Sequence, residues 1–181
     1  MFKPIASMLS VAAVVGIGLG AVTVKADDHV KDAIGVVKLQ KGEPLVIGFW
    51  AVLSGADTAL GLDQLRGVQI AVEDWGGEIG GHPIRVIEED SLCSAEGGQT
   101  AATKLAANQK VLVTVGPSCS SAATPGAPIL WKSGIPTIGV SPTAPPLTAP
   151  DRSADYDGFV RVVWNDSWAG ALTADWAYNQ A

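Results

Sequence analysis

Five short runs of strand length, set apart by stretches of helical period, constrain the fold of this chain more than any other feature. They are LVIGFWAV (45–52), IRVIEED (84–90), VLVTV (111–115), IPTIGV (135–140) and FVRVV (159–163). The first is continuously apolar, the pattern of a strand covered on both faces, and VLVTV reads as another buried strand. Between the first two, Leu65, Val68, Val72 and Trp75 recur at steps of three and four. That spacing predicts an amphipathic helix over about 59–75, stopped by Gly76-Gly77 and Gly80-Gly81. Ser94 is placed to cap a second helix reaching about Asn108, with Ala102, Leu105 and Ala106 inward. A short helix is expected from Ala123 to Trp131, interrupted or started by Pro125 and Pro128. Asn165 or Asp166 caps a last helix that ends near Gln180. Strands alternating with helices predict an α/β fold with a doubly wound, mostly parallel sheet.

In such a sheet the ligand crevice lies outside the carboxyl ends of the strands. The segments that fall there are Ser54–Leu60, Asp90–Ser94, Gly116–Ser121 and Ser141–Thr143, each rich in Gly, Ser, Thr or Asp. The stretch VGPSCSSAATPGAPIL (115–130) puts a cysteine and three serines at a strand-to-helix junction. A helix start offers free backbone N–H groups and a partial positive charge, which suits a carboxylate. Ser118, Ser120 and Ser121 can add hydroxyl donors, and Thr143 can add one from the next loop. The competing reading is that these serines only cap the helix.

Enzymatic readings lack parts. A serine nucleophile wants a histidine base and a G-x-S-x-G turn. No such turn is present, His29 lies in the leader, and His82 lies before the second strand, at the opposite end of the sheet. The P-loop lysine and the G-x-G-x-x-G dinucleotide fingerprint are also missing. The acid cluster Glu88-Glu89-Asp90 reads as a solvated strand end. No enzyme, cofactor or metal is therefore expected.

The first residues, MFKPIASMLSVAAVVGIGLGAVTVKADD, carry Lys3, then an almost uncharged apolar run, then the small-x-small pattern Val24-Lys25-Ala26. This is the form of a cleaved secretory signal peptide over 1–26, with an uncleaved anchor as the alternative. Residues 27–43 read as a flexible leader. Without Lys3 and Lys25 the chain keeps 10 basic residues against 18 acidic ones, a formal charge of -8. An acidic exported chain is a poor partner for nucleic acid or anionic lipid. In an oxidising compartment, two cysteines invite a single disulfide, Cys93 to Cys119.

Taken together, AVLSGADTALGLDQLRGVQIAVED, GGHPIRVIEEDSLCSAEGGQTAATKLAANQKVLVTVGPSCSSAATPGAPI and GIPTIGVSPTAPPLT resemble the leucine/isoleucine/valine-type periplasmic binding proteins of ABC importers. The resemblance covers about residues 44–178. It implies the type I fold with a flavodoxin-like strand order, in which 44–163 form a first ligand-binding lobe and 164–181 lead toward a second. It implies a periplasmic solute-binding protein that captures an amino acid or similar small carboxylate and delivers it to an ABC permease in the inner membrane. A ligand-sensing or scaffold lobe coupled to a receptor is the alternative.

By the same resemblance the family disulfide falls on Cys93 and Cys119. Ser120 would contact the ligand carboxylate, and the backbone carbonyl of Ser141 would take the ammonium. The Thr143 hydroxyl and N–H would hold the ligand, with Leu60 meeting its side chain where relatives often carry an aromatic residue. Trp168-Ala169 stands where relatives show a polar pair before a glycine, here Gly170. The second lobe would follow the last helix, whereas the given sequence stops at Ala181, which suggests a fragment, a truncated product or a lobe that needs a partner chain. Trp164, Trp168 and Trp176 are expected to pack the last helix or to meet that second lobe.

Overall fold

A computed structural model describes residues 37–180. Its central strand, β1 (Leu45–Ala51), has neighbours on both sides. The first helix, α1 (Thr58–Asp74), leads to a two-residue strand, β2 (Glu78–Ile79), and then to β3 (His82–Asp90). Next come α2 (Ala95–Ala107), β4 (Val111–Val115), α3 (Ser120–Lys132), β5 (Thr137–Gly139), β6 (Phe159–Arg161) and α4 (Asp166–Gln180). The sheet order is β2-β3-β1-β4-β5-β6. Every pairing is parallel except that of β2 with β3. Leaving the small β2 aside, this is the flavodoxin-like order, in which β1 lies between β3 and β4.

Alternation along β1 explains why the whole run is apolar. Val46 and Trp50 point to one face, where they bury against Ala101, Ala102 and Leu105 of α2 and Leu130 of α3. Phe49 and Ala51 point to the other, against Leu65 and Val68 of α1. Successive strand side chains face opposite sides, so a strand with helices on both faces needs apolar residues throughout. A third cluster joins Ala123 and Ala127 of α3 to Leu147 and Phe159.

Ser94 caps α2 by accepting from the Gly97 amide at 3.0 Å, and Asn165 caps α4 by accepting from the Trp168 amide at 3.3 Å. Other expectations need correction. Trp75 is not on the inward face of α1; it follows the last turn and is exposed, because Gly76 and Gly77 turn the chain away with φ of 74° and 75°. The Gly80-Gly81 stop is also the turn of the β2–β3 hairpin. The third helix starts at Ser120, three residues before the expected Ala123, and runs through both prolines. Pro128 has no N–H to give the Thr124 carbonyl. The Tyr156 hydroxyl donates to that carbonyl at 2.8 Å instead, which keeps the helix satisfied.

The expected signal peptide and the leader up to residue 36 lie outside the described residues. Nearer the fold, Gln40–Glu43 forms a turn in which Glu43 pairs with Lys110 at 3.1 Å. At the other end, α4 buries none of its side chains. Trp164 and Trp168 lie 6.0 Å apart between ring centroids, and both, like Trp176, are exposed.

Candidate functional site

Because β1, β3, β4 and β5 are parallel, the loops after them share one edge of the sheet. Their side chains are tied to one another rather than left loose. After β1, the Asp90 carboxylate accepts from the Leu53 amide at 2.9 Å and from the Ser54 hydroxyl. It also accepts from the amide of Leu92 two residues on, at 2.9 Å. Burial raises the Asp90 pKa, but the Ser54 hydroxyl and the amides of Leu92, Leu53 and Ser54 outweigh it and hold the carboxyl below its ordinary value. The strand-end cluster is thus not merely solvated: Glu88 is exposed and Glu89 pairs with Lys104, while Asp90 binds two loops together.

The expected disulfide joins Cys93 to Cys119, the residue that precedes α3. Beside it, Leu92 and Cys93 take φ of 52° and 50°. Left-handed backbone is uncommon outside glycine and persists where neighbours over-determine it. Here the restraints are the disulfide, the Asp90 carboxylate on the Leu92 amide, and the Ser121 hydroxyl, which donates to the Cys93 carbonyl at 2.7 Å. Gly116 has φ of 122°, and a Cβ there would stand 2.0 Å from the Trp50 carbonyl oxygen. Only glycine lets the loop after β4 pass this close to β1.

The three serines of the strand-to-helix junction at 115–130 do different work. Ser118 is buried; its hydroxyl accepts from the Val52 amide at 3.1 Å and donates to Gln64 at 2.6 Å. Ser121 is engaged with Cys93 as above. Ser120, in the first turn of α3, accepts from the amides of Thr143 and Ala144 at 3.1 Å each. Both lone pairs of Ser120 are engaged while its own proton has no acceptor among the described residues, so it is free to donate outward. The structure therefore brings Ser120 and Thr143 together, with Ser141 two residues earlier in the same loop. The Thr143 amide expected to hold a ligand is instead committed to Ser120, which leaves the hydroxyl. Leu60 lies exposed in the first turn of α1. Gly61 lets that turn sit against β1, since a Cβ there would stand 1.9 Å from the Val52 carbonyl oxygen.

Two residues organise this edge: Asp90, which sequence reasoning places at the crevice as a merely solvated acid, and Arg161, which it misses. Asp90 carried a readable signal, because an aspartate followed by Ser-Leu at a strand end is positioned for an Asx turn. Arg161 is the only charged residue within FVRVV, and a lone arginine in an apolar strand implies a set of acceptors. Its Nη1 donates to the carbonyls of Pro142 and Ala144 at 3.0 Å each, and its Nη2 donates to the Thr148 hydroxyl.

A family model described as periplasmic binding protein matches residues 44–181. An amino acid binding protein from Pseudomonas aeruginosa is 28% identical over 137 residues, covering 75% of this chain and 36% of that protein. An ABC transporter substrate-binding protein from Sphaerobacter thermophilus is 31% identical with a TM-score of 0.67, covering 76% of this chain and 37% of that one. A branched-chain amino acid transporter substrate binding protein from Streptococcus pneumoniae, solved in complex with isoleucine, is 28% identical with a TM-score of 0.60. It matches 69% of this chain and 35% of its own. The chain thus spans little more than a third of the length of the proteins it matches. Its matched part has the α/β architecture of the first lobe of the type I fold, and the chain belongs to the periplasmic binding protein family.

Proposed function

We propose that this chain supplies half of an extracytoplasmic site that captures a small solute carrying a carboxylate, first of all an aliphatic amino acid, for delivery to an ABC permease. The observation that carries the reading is the unengaged Ser120 proton at the start of α3, set beside Thr143 by two hydrogen bonds of 3.1 Å. Hydroxyls at a helix start bind an anion without a cationic side chain, as a site that must also release its ligand requires. The Ser141 carbonyl, in the same loop, suits an ammonium. Leu60 offers apolar surface to an aliphatic side chain. Similarity to proteins named for amino acid binding, and to one solved with isoleucine, supports this ligand class. No covalent step is needed, and the whole process is binding and release.

Calorimetric titration of the full chain with isoleucine tests the reading. Binding is expected, and Thr143→Val is expected to weaken it by about 1–3 kcal/mol, the cost of one lost buried hydrogen bond. Absence of heat, or an affinity untouched by Thr143→Val, contradicts the proposed site.

A further inference from the structure

Thr143 is held from three directions, and only its hydroxyl is left without a partner among the described residues. Its N–H donates to the Ser120 hydroxyl at 3.1 Å, and its carbonyl accepts from the Asp166 amide, the first residue of α4, at 3.0 Å. The carbonyls on either side, those of Pro142 and Ala144, both accept from Nη1 of Arg161 at 3.0 Å. Nη2 extends the grip to Thr148, in the one-turn helix Pro145–Thr148. A guanidinium carries its donors in one rigid plane, so it can bridge carbonyls two residues apart and a hydroxyl further along; a lysine ammonium is a single point on a flexible stem. Arg161 is itself half-buried on β6. Three of its five N–H donors are thus spent on the 142–148 segment.

We propose that Arg161 is the positioning residue of the solute site: it fixes the 142–148 segment so that the Thr143 hydroxyl stands beside Ser120, and through the Thr143–Asp166 hydrogen bond it links that hydroxyl to the start of α4. The proposal rests on the solute-capture reading for its role in binding. Its effect on the loop can be read without any ligand.

The test is backbone amide hydrogen exchange on the full chain, wild type against Arg161→Lys, with isoleucine titration alongside. The lysine variant keeps the charge and is the informative one even where Arg161→Met does not fold. Exchange at Thr143, Ala144 and Asp166 is expected to quicken about tenfold in Arg161→Lys, while exchange at Phe49 in β1 and Val113 in β4 stays as in wild type. The affinity for isoleucine is expected to fall by about the same factor. Unaltered exchange at the three loop amides, or an acceleration shared evenly with β1 and β4, overturns the positioning role. Isoleucine giving no heat with the wild-type chain overturns the capture reading, and with it the role in binding, whatever the exchange map shows.

Discussion

The Ser120 hydroxyl oxygen receives the amides of both Thr143 and Ala144 at 3.1 Å, joining the first turn of α3 to the loop after β5. One side chain thereby sets the spacing between two crevice segments that lie 23 residues apart in sequence. Its remaining proton has no acceptor among the described residues, and the proposed site would use it as a donor to the solute.

Replacing that group should be felt even without ligand. Ser120→Ala leaves two part-buried amides without their acceptor, and a loss of about 1–3 kcal/mol in unfolding free energy is expected. Ser121→Ala removes only one exposed hydrogen bond, to Cys93, and is expected to cost less than about 1 kcal/mol. Urea denaturation of the two variants checks the order; equal losses would show that Ser120 has no special part in the loop.

The Cys93–Cys119 disulfide closes a loop with a sequence separation of 26 residues. A cross-link of that span is worth about 3–4 kcal/mol in the chain-entropy account. A thiol count on the native protein is expected to be zero, and reduction should lower the urea midpoint accordingly. Two titratable thiols in the native chain would contradict the pairing.

Close helix packing gives a third expectation. A Cβ on Gly98 of α2 would lie 2.5 Å from backbone atoms of Ala122 in α3. Neither backbone can yield cheaply, so Gly98→Ala should destabilise by about 1–3 kcal/mol through overpacking. Gly67→Ala, on α1 with open space around it, should be neutral or stabilise by up to about 1 kcal/mol. Thermal melts of the two variants separate packing from helix propensity.

Asp90 supplies a pH signature. Its carboxyl is held below the ordinary value, with burial opposing and the Ser54 hydroxyl and loop amides prevailing. A depressed folded-state pKa contributes stability that is complete above the unfolded value of about 4 and is lost as pH falls through the folded value. Wild type should therefore exceed Asp90→Asn in stability at pH 7, and the gap should close in acid, below about pH 4. A gap that does not change with pH would mean that the carboxylate charge plays no part in holding Leu53 and Leu92.

The sheet was legible because strand-length runs alternate with segments of helical period, and the central strand is apolar throughout, a consequence of burying Val46 and Trp50 on one face and Phe49 and Ala51 on the other; its order followed from the resemblance. The Ser94 and Asn165 caps were legible because capping is local in sequence. Long-range ties were not. Nothing near Pro128 announces that the Tyr156 hydroxyl will serve the Thr124 carbonyl, so the start of α3 was placed three residues late. The approach of the Ser120 and Thr143 loops followed from topology and resemblance. The engagement of the Thr143 amide by Ser120, and the grip of Arg161 on both neighbouring carbonyls, depend on the register of β5 and β6, which a single sequence does not display.

Solute is proposed to bind where α3 begins and the loop after β5 passes. Amide chemical-shift mapping of the isotopically labelled full chain, titrated with isoleucine into the millimolar range, tests it most directly because it detects even weak binding to half a site. Saturable shifts centred on Ser120, Ser121 and Thr143 that Thr143→Val diminishes are expected. Saturable shifts centred elsewhere, or none at these three residues, would contradict it.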